Sequence, residues 1–249
     1  MSRRLEGKTA IVTGGASGFG KGIATKFAHE GANVVVADLS VEGGQATVSE
    51  LGPLSAVFQQ CDVTKREHWE QLLKMTTDRY GALDIVVNNA GTTYSNKPTE
   101  QVTDRDFDVC FNVNVKSIYL STNVILPYFI ETGRPGCFIS IASTAGVRPR
   151  PGLSWYNASK AAVINATKSM AVEYGPKQIR FNSVSPVFGS GTLLSSSFLG
   201  KPDIEENRAA FVANVPLGRG STPSDVANAC CYLASDEADF VTGVNLEVR

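Results

Sequence analysis

The sequence predicts a single doubly wound α/β domain over residues 1–249, with a parallel sheet of about seven strands and helices on both faces. Short β-branched apolar runs alternate with longer amphipathic segments, which is the order of βαβ units. The runs are apolar at nearly every position, as strands buried on both faces are. The chain has no linker or internal repeat, and its length suits one domain. The predicted strands are Thr9–Thr13, Asn33–Ala37, Ala56–Gln59, Asp84–Asn88, Cys137–Ile141, Arg180–Val184 and Gly243–Val248.

The segments between these runs have the periodicity of helices. In the first of them, Ile23 and Phe27 share one face, and the helix is expected to end before Gly31. The last opens with Thr222-Pro223, a cap residue followed by proline in the first turn. Residues 187–215 lack clear periodicity, so this long stretch is predicted to be a substrate-binding loop. The predicted helices cover about 18–30, 42–51, 66–80, 104–131, 155–175 and 223–235.

Composition argues against several classes of protein. The formal net charge of −1 offers no surface for nucleic acid. The five cysteines are odd in number and form no C-x-x-C motif, so reduced thiols in a cytoplasmic protein are expected. With two histidines and no ligand cluster, no metal site is expected. No apolar run has the length of a membrane span, so no membrane partner is expected either.

A glycine-rich turn follows the first predicted strand and ends at Gly20. Glycines at a strand–helix junction let backbone N–H groups approach a pyrophosphate at the helix N-terminus. The spacing is G-x-x-x-G-x-G. A P-loop fails at Gly22, because a magnesium-binding Ser or Thr should follow Gly20-Lys21 there. A purely structural corner is the remaining alternative. The predicted nucleotide contacts are Gly14, Ser17, Gly18, Phe19 and Gly20.

An acidic residue, Asp38, ends the second predicted strand. A carboxylate at this point can accept both hydroxyls of an adenosine ribose, and it would repel the extra phosphate of NADP. Leu39 and Ser40 follow, whereas an NADP site would offer Arg or Lys here. Lys21 lies just beyond the glycine turn, and a basic residue there weakens the argument for NAD over NADP. We therefore predict NAD as the cofactor, with NADP as the alternative, and contacts to it from Asp38 and Leu39.

Tyr156 and Lys160 lie four residues apart, so they share one face of the predicted helix. Chance alone gives roughly 0.3 such pairs in a chain of this composition, so a solvated helix face is the alternative. Ser143 comes just after the strand that ends at Ile141. Free tyrosine has a pKa of about 10, and an ammonium about 4 Å away lowers it by about three units. The three side chains therefore predict proton transfer at an alcohol or a carbonyl.

With these residues in order, the sequence resembles the short-chain dehydrogenase/reductase family, in its compact single-domain branch. The resemblance spans nearly the whole chain and implies a Rossmann-type fold. It also implies hydride transfer between a nicotinamide cofactor and the substrate, with Tyr156 as the general acid or base. The motifs on which it rests are Thr13–Gly20, Asp38, Asp62-Val63, Asn88-Asn89-Ala90-Gly91, Asn114, Ser143, Tyr156-x-x-x-Lys160 and Pro186.

The resemblance also implies a role for each matched residue. Ser143 would bind the substrate oxygen, Lys160 the nicotinamide ribose, and Asn114 a water that connects to Lys160 in a proton relay. These three form the catalytic set with Tyr156, which also contacts the cofactor. Family members usually have glycine after the proline that ends the sixth strand, and here Val187 stands in its place. The remaining implied cofactor contacts are Asp62 and Val63 at the adenine, then Asn89, Ala90, Gly91, Val187 and Thr192, with Ser190 as the alternative to Thr192.

The substrate end is predicted from residues near Tyr156 and after Pro186. The candidates are Ser143, Arg148, Trp155 and Phe188. Arg148 would pair with a substrate carboxylate or lie in solvent, and Trp155 would pack on a ring-shaped substrate or in a subunit interface.

The predicted function is hydride transfer between NAD(H) and a secondary alcohol or its ketone, a small-molecule substrate. Two alternatives stay open: an NADPH-dependent biosynthetic carbonyl or 3-oxoacyl reductase, and a non-catalytic nucleotide-binding protein on the same fold. Apolar residues on the two long predicted helices indicate a homodimer or homotetramer.

Overall fold

A computed structural model describes residues 3–52, 55–189, 194–202, 204–213 and 215–249. Within these ranges seven parallel strands form one sheet: β1 (Thr9–Thr13), β2 (Asn33–Asp38), β3 (Ala56–Gln60), β4 (Ile85–Asn88), β5 (Gly136–Ile141), β6 (Ile179–Pro186) and β7 (Asn245–Val248). The predicted fold class is confirmed. The spatial order is β3-β2-β1-β4-β5-β6-β7, so the strand order reverses between β1 and β4. In such a sheet a crevice opens at the reversal, beyond the C-terminal ends of the strands.

Helices pack on the sheet at the positions that the periodicity predicts, with one difference. The segment over 104–131 is not one α-helix, because a π-helical turn at Asn112–Lys116 interrupts it. Turns of this kind are frequent at functional sites, and this one contains the buried side chain of Asn114. The helices are α1 (Gly18–His29), α2 (Val41–Leu51), α3 (Arg66–Tyr80), α4 (Asp104–Phe111), α5 (Ser117–Thr132), α6 (Ser154–Tyr174), α7 (Ser195–Leu199), α8 (Glu205–Val212) and α9 (Pro223–Ala234).

The central strand β1 shows why the strand sequences are apolar throughout. Ala10 and Val12 pack on one face of the sheet with Phe27 of α1. Ile11 points to the other face and packs with Trp69 of α3. All of these side chains are fully buried. Each buried apolar surface contributes roughly 25 cal/mol per Å², so the two cores together hold the strand ends in fixed positions.

The stretch over 187–215 differs from the predicted loop, because it contains the short helices α7 and α8. Helices of five and eight residues span too few turns for their periodicity to be recognised in a sequence. The predicted cofactor contact Thr192 and its alternative Ser190 lie outside the described residues. In the part of the chain that the structure describes, no helix is both long and apolar enough to cross a bilayer.

Candidate active site

A cavity of about 450 Å³ opens at the C-terminal ends of β1 to β6. Residues that follow β2 and β3 line one side of it, which we call the acidic end because it contains Asp38 and Asp62. Residues that follow β5 and β6 line the other side with parts of α6 and α7, and we call this the tyrosine end. The predicted site residues that line the cavity are Gly14, Ser17, Gly18, Phe19, Asp38, Leu39, Asp62, Val63, Asn89, Ala90, Gly91, Ser143, Tyr156, Lys160, Val187 and Phe188.

The glycine turn is held by hydrogen bonds from the end of β4. The Asn89 side-chain amide donates to the carbonyl oxygens of Thr13 at 2.8 Å and Gly14 at 3.3 Å. The hydroxyl of Thr13 accepts from the backbone N–H groups of Asn89 and Ala90. Gly14 has a φ of +65°, and a Cβ on Gly20 would overlap the carbonyl oxygen of Gly14. Asn89 therefore shapes the turn as well as lining the cavity, and Thr13 is a supporting residue that the sequence did not reveal.

The carboxylate of Asp38 connects the glycine turn to the end of β2. One oxygen accepts a hydrogen bond from the Ala16 N–H at 3.0 Å, and the other accepts from the Ser40 N–H at 2.9 Å. Lys21 does not line the cavity; its ammonium donates to Glu50 of α2 at 2.8 Å. Lys21 is thus paired with Glu50, and Asp38 is the acidic residue that lines this corner of the acidic end.

Asp62 lies beyond β3 at the far side of the acidic end. Its carboxylate accepts from the backbone N–H of Thr64 at 2.9 Å and from the Thr64 hydroxyl at 2.7 Å. Burial works to raise the pKa of Asp62, but these hydrogen bonds hold the pKa below its ordinary value. The backbone N–H of Asp62 donates to the His68 ring at 2.9 Å. Thr64 thus holds the carboxylate of Asp62, and His68 holds its backbone. The Asp-x-Thr spacing in the sequence was an available signal for the bonds from Thr64.

The tyrosine end brings Ser143, Tyr156 and Lys160 to one wall of the cavity. The Ser143 hydroxyl accepts a hydrogen bond from the Ala145 N–H at 3.1 Å, and it lines the same cavity wall as the Tyr156 phenol. The ammonium of Lys160 lies 5.9 Å from the centroid of the Tyr156 ring, and it donates to the carbonyl oxygen of Ile141 at 2.8 Å. Phe198 of α7 packs edge-on against Tyr156 with the ring centroids 5.0 Å apart. A small oxygen-containing group in this cavity would meet the phenol, the serine hydroxyl and an apolar wall.

Burial reverses the expected direction of the tyrosine pKa. Removal of water raises the pKa of Tyr156 well above its ordinary value, although the Ser143 hydrogen bond and the Arg150 charge lower it. Burial also lowers the pKa of Lys160 to about 8. An ammonium beside the phenol would lower the pKa of Tyr156, but desolvation opposes this effect, and burial shifts the pKa values of both groups. In the protein alone, proton uptake by Tyr156 is therefore favoured over release.

Asn114 lies behind the cavity wall, within the π-helical turn. Its carbonyl accepts from the Thr92 N–H at 2.8 Å, and its amide donates to the Thr92 carbonyl at 2.9 Å and to the Ser159 hydroxyl at 3.0 Å. The side chain thus bonds to protein partners and joins the turn to α6. The predicted relay through a water remains a prediction, and the side-chain contacts show that Asn114 also has a positioning role.

Two predicted substrate residues lie elsewhere. Arg148 is exposed and does not line the cavity, whereas Arg150, two residues further on, does. Trp155 is 39% exposed and packs edge-on against Phe107 at 5.3 Å, away from the cavity lining. Consecutive helix residues point about 100° apart, so the neighbour of Tyr156 need not face the same cavity. Phe188 is buried and lines the cavity at the tyrosine end, and its contact with a substrate stays a prediction.

The fold and the site define a class of protein: an α/β enzyme with a nucleotide crevice that ends at a Ser-Tyr-Lys set. A family model described as "Enoyl-(Acyl carrier protein) reductase" matches residues 14–249. The chain belongs to the short-chain dehydrogenase/reductase family. It is an NAD(P)-dependent oxidoreductase that acts on alcohol or carbonyl groups, which confirms the predicted family and redox class.

Characterised relatives cover nearly the whole chain. The sequence is 46% identical to 4-formylbenzenesulfonate dehydrogenase from Comamonas testosteroni, over 98% of this chain and 97% of that protein. It is 36% identical to a 3-oxoacyl-[acyl-carrier-protein] reductase from Thermotoga maritima, over 96% of this chain and 95% of that protein. The structure of 3-ketoacyl-(acyl-carrier-protein) reductase from Brucella melitensis complexed with NADH matches with a TM-score of 0.92 and 37% identity, over 98% of this chain and 97% of that one.

Proposed function

We propose that this protein is an NAD-dependent dehydrogenase that interconverts a secondary alcohol and its ketone, with Tyr156 as the general acid or base. The observation that carries the proposal is that the hydroxyl groups of Ser143 and Tyr156 line the same cavity as the carboxylate of Asp38. The two hydroxyl groups at one end can bind a substrate oxygen. The carboxylate at the other end can bind the adenosine ribose of a dinucleotide. The separation of the two ends along the sheet allows both to bind together.

The reaction places separate tasks on the residues of the tyrosine end. In alcohol oxidation, Ser143 holds the substrate oxygen and Tyr156 removes its proton; in carbonyl reduction Tyr156 returns that proton. The cofactor, when bound, accepts or supplies the hydride. Lys160 fixes a positive charge near the phenol, because its ammonium is oriented by the Ile141 carbonyl. A positive charge near a phenol favours the phenolate, whereas burial raises the pKa of Tyr156.

Replacement of the phenol tests this role. We expect Tyr156→Phe to lower kcat/KM by about 10²- to 10⁴-fold, the range that general acid–base catalysis contributes. NADH binding, followed by nicotinamide fluorescence, should survive because the acidic end is intact. In the wild type, oxidation should rise with pH because phenolate is the base, and reduction should fall.

Tyr174→Phe is a matched control, since Tyr174 ends the same helix and packs against Phe181 in the core at 6.0 Å. This variant should retain wild-type kinetics. Turnover by Tyr156→Phe at the wild-type rate would refute the assigned role. A wild type that binds NADH and turns over no alcohol or ketone would instead favour the non-catalytic alternative.

The choice of NAD over NADP rests on the acidic end. The Asp38 carboxylate lines the cavity, and its oxygens accept hydrogen bonds from the Ala16 and Ser40 N–H groups. A phosphate on the adenosine ribose would meet this charge, and the ion pair with Glu50 keeps Lys21 from offsetting it. We expect NADH to bind at least about tenfold more tightly than NADPH, a difference of about 1.4 kcal/mol. Parallel fluorescence titrations measure both constants.

A second function has specific support. The Thermotoga maritima and Brucella melitensis relatives are 3-oxoacyl and 3-ketoacyl carrier-protein reductases by name. An NADPH-dependent biosynthetic reductase of this kind is therefore the alternative for this chain. NADPH binding as tight as NADH binding, together with reduction of a 3-oxoacyl thioester faster than any simple ketone, would favour it over the NAD-dependent dehydrogenase.

The oligomeric state and the cellular location of the protein are also part of the proposal. A homodimer or homotetramer is supported by an aromatic cluster in which Phe107 stacks on Phe111 at 4.5 Å and contacts the partly exposed Trp155. Sedimentation velocity tests this, and a monomer at micromolar concentration would contradict it. A reducing, cytoplasmic location is supported by five free, buried cysteines.

A further inference from the structure

The cavity wall at the tyrosine end contains a cation that the reaction scheme above does not use. Among the described residues that line the cavity, two are basic, Lys160 and Arg150. Lys160 is directed to the Ile141 carbonyl, and the two acids that line the cavity, Asp38 and Asp62, follow β2 and β3 at the opposite end. Arg150 is therefore the basic group that lies toward the substrate.

The backbone at Arg150 and Pro151 is held by side chains from neighbouring segments. The amide of the buried Asn157 donates to the Arg150 carbonyl at 2.8 Å. The amide of Asn96 donates to the Pro151 carbonyl at 3.1 Å, and its backbone N–H donates to the carbonyl of Ser197 in α7 at 2.9 Å. These bonds connect the Arg150 segment to α6 and to the α7 wall. The hydrogen bonds therefore fix the point of the backbone from which the Arg150 side chain extends.

The surroundings of Arg150 are apolar. The cavity lining near α6 and α7 includes Leu153, Leu194, Phe188 and Phe198. Burial lowers the pKa of the Arg150 guanidinium, and Arg150 lines the same cavity as Tyr156. A guanidinium stays charged in such a place and binds carboxylate or sulfonate oxygens through two parallel hydrogen bonds. The same wall would pack a ring or a short aliphatic body.

We propose that Arg150 selects substrates that carry a carboxylate or sulfonate on an apolar, ring-sized body, away from the reacting carbon. This inference rests on the proposed function, because it assigns the group that recognises the substrate of the same site. Arg150 is a specificity-determining residue in this view, and the neighbouring Arg148 has no part in recognition.

A pair of alcohols that differ by one charge tests the proposal. The probes are 4-(1-hydroxyethyl)benzoate and its neutral analogue 1-phenylethanol, oxidised with NAD. We expect the wild type to prefer the benzoate at least about tenfold in kcat/KM. In Arg150→Gln the ratio of the two kcat/KM values should fall by about ten- to a hundredfold, the range for a charge-assisted hydrogen bond. Arg150→Lys should restore part of the ratio, and the exposed control Arg148→Gln should leave it within twofold.

A binding measurement separates this inference from the proposed function. Calorimetric titration of 4-acetylbenzoate and 4-methylacetophenone into the enzyme with NAD requires no turnover. Tighter binding of the benzoate that is lost in Arg150→Gln supports the inference even if neither alcohol is oxidised. Oxidation of both alcohols without a preference for the benzoate overturns the inference and leaves the proposed function intact. An equal loss for both alcohols in Arg150→Gln also overturns it, because Arg150 would then act through Tyr156 or through the fold.

Discussion

The acidic end and the tyrosine end of the cavity are built from different kinds of contact. At the acidic end, backbone groups of the strand ends form most of the hydrogen bonds, as between Ala16 and Asp38 or between Asn89 and the Gly14 carbonyl. At the tyrosine end, side chains from separate segments pack against one another, as Phe198 does against Tyr156. One end depends on the path of the backbone, and the other depends on side-chain identity.

This difference allows a substrate site to change while the cofactor site on the same scaffold is kept. A backbone site tolerates few residues, because the glycines in it leave no room for a side chain. A wall of side chains can be altered one residue at a time without loss of the fold, and substrate loops vary among enzymes on one scaffold for this reason. Substitutions at the two ends should therefore have separable effects on cofactor and substrate.

The largest effect should come from the glycine turn. In Gly20→Ala the new Cβ would overlap the Gly14 carbonyl oxygen and press on the Asn89 amide, so the turn must open. We expect NADH affinity to fall by about a hundredfold or more, from the cost of overpacking a rigid site. Fluorescence titration measures the affinity. Gly175→Ala is the control, because a Cβ at Gly175 meets open space.

A normal NADH affinity in Gly20→Ala would contradict the comparison of the two ends, because cofactor binding would then not depend on the path of the backbone in the glycine turn. Circular dichroism before the titration confirms that each glycine variant is folded. A loss in Gly175→Ala equal to that in Gly20→Ala would show that the effect is global instead of local.

A substitution at the tyrosine end is expected to have a smaller effect, and the effect should be on substrate turnover. Phe198→Ala removes the ring that packs on Tyr156, and aromatic pairs contribute about 0.5–1.5 kcal/mol beyond their buried area. We expect kcat/KM for the substrate to fall by about three- to tenfold while the NADH dissociation constant changes less than twofold. Phe240→Ala, at a fully exposed phenylalanine, is the control. If NADH binding weakens as much as substrate turnover, the two ends are coupled and the comparison fails.

The smallest effect on the site should come from Asp106, which caps α4 outside both ends. Its carboxylate accepts hydrogen bonds from Lys97 and Thr103. These bonds lower the pKa of Asp106 from 3.8 to about 2, and the bond from Lys97 has the largest effect. Asp106→Ala should lower the free energy of unfolding by about 1 kcal/mol at pH 7, the usual value of a helix cap. NADH and substrate constants should stay within twofold.

The pH dependence of this effect has a defined sign. A carboxylate with a depressed folded-state pKa stabilises the protein above the unfolded value and loses this contribution as pH falls. The stability difference between wild type and Asp106→Ala should therefore be full above about pH 5 and narrow between pH 3.8 and about 2. Denaturant unfolding at several pH values measures it. A difference that stays constant with pH would show that the charge of Asp106 has no part in the stabilisation.

Much of the fold could be predicted from the sequence, because the signals are local. Strand runs such as Asn33–Ala37 are apolar on both faces, and the helix that ends before Gly31 has a clear apolar stripe. The π-helical turn at Asn112–Lys116 could not be predicted, since no local residue preference marks it. The helices α7 and α8 were missed because five and eight residues are too short for a recognisable period.

The order of the strands and helices, the glycine turn, the acidic residue after β2 and the Ser143, Tyr156 and Lys160 set were determined by the sequence alone. Each is defined by residues a few positions apart, or by spacing along the chain. The tertiary structure alone decided that Arg150 lines the cavity in place of Arg148, and that burial raises the pKa of Tyr156. Both depend on which surfaces meet and how much water they exclude, and these quantities sum over atoms from segments far apart in the chain.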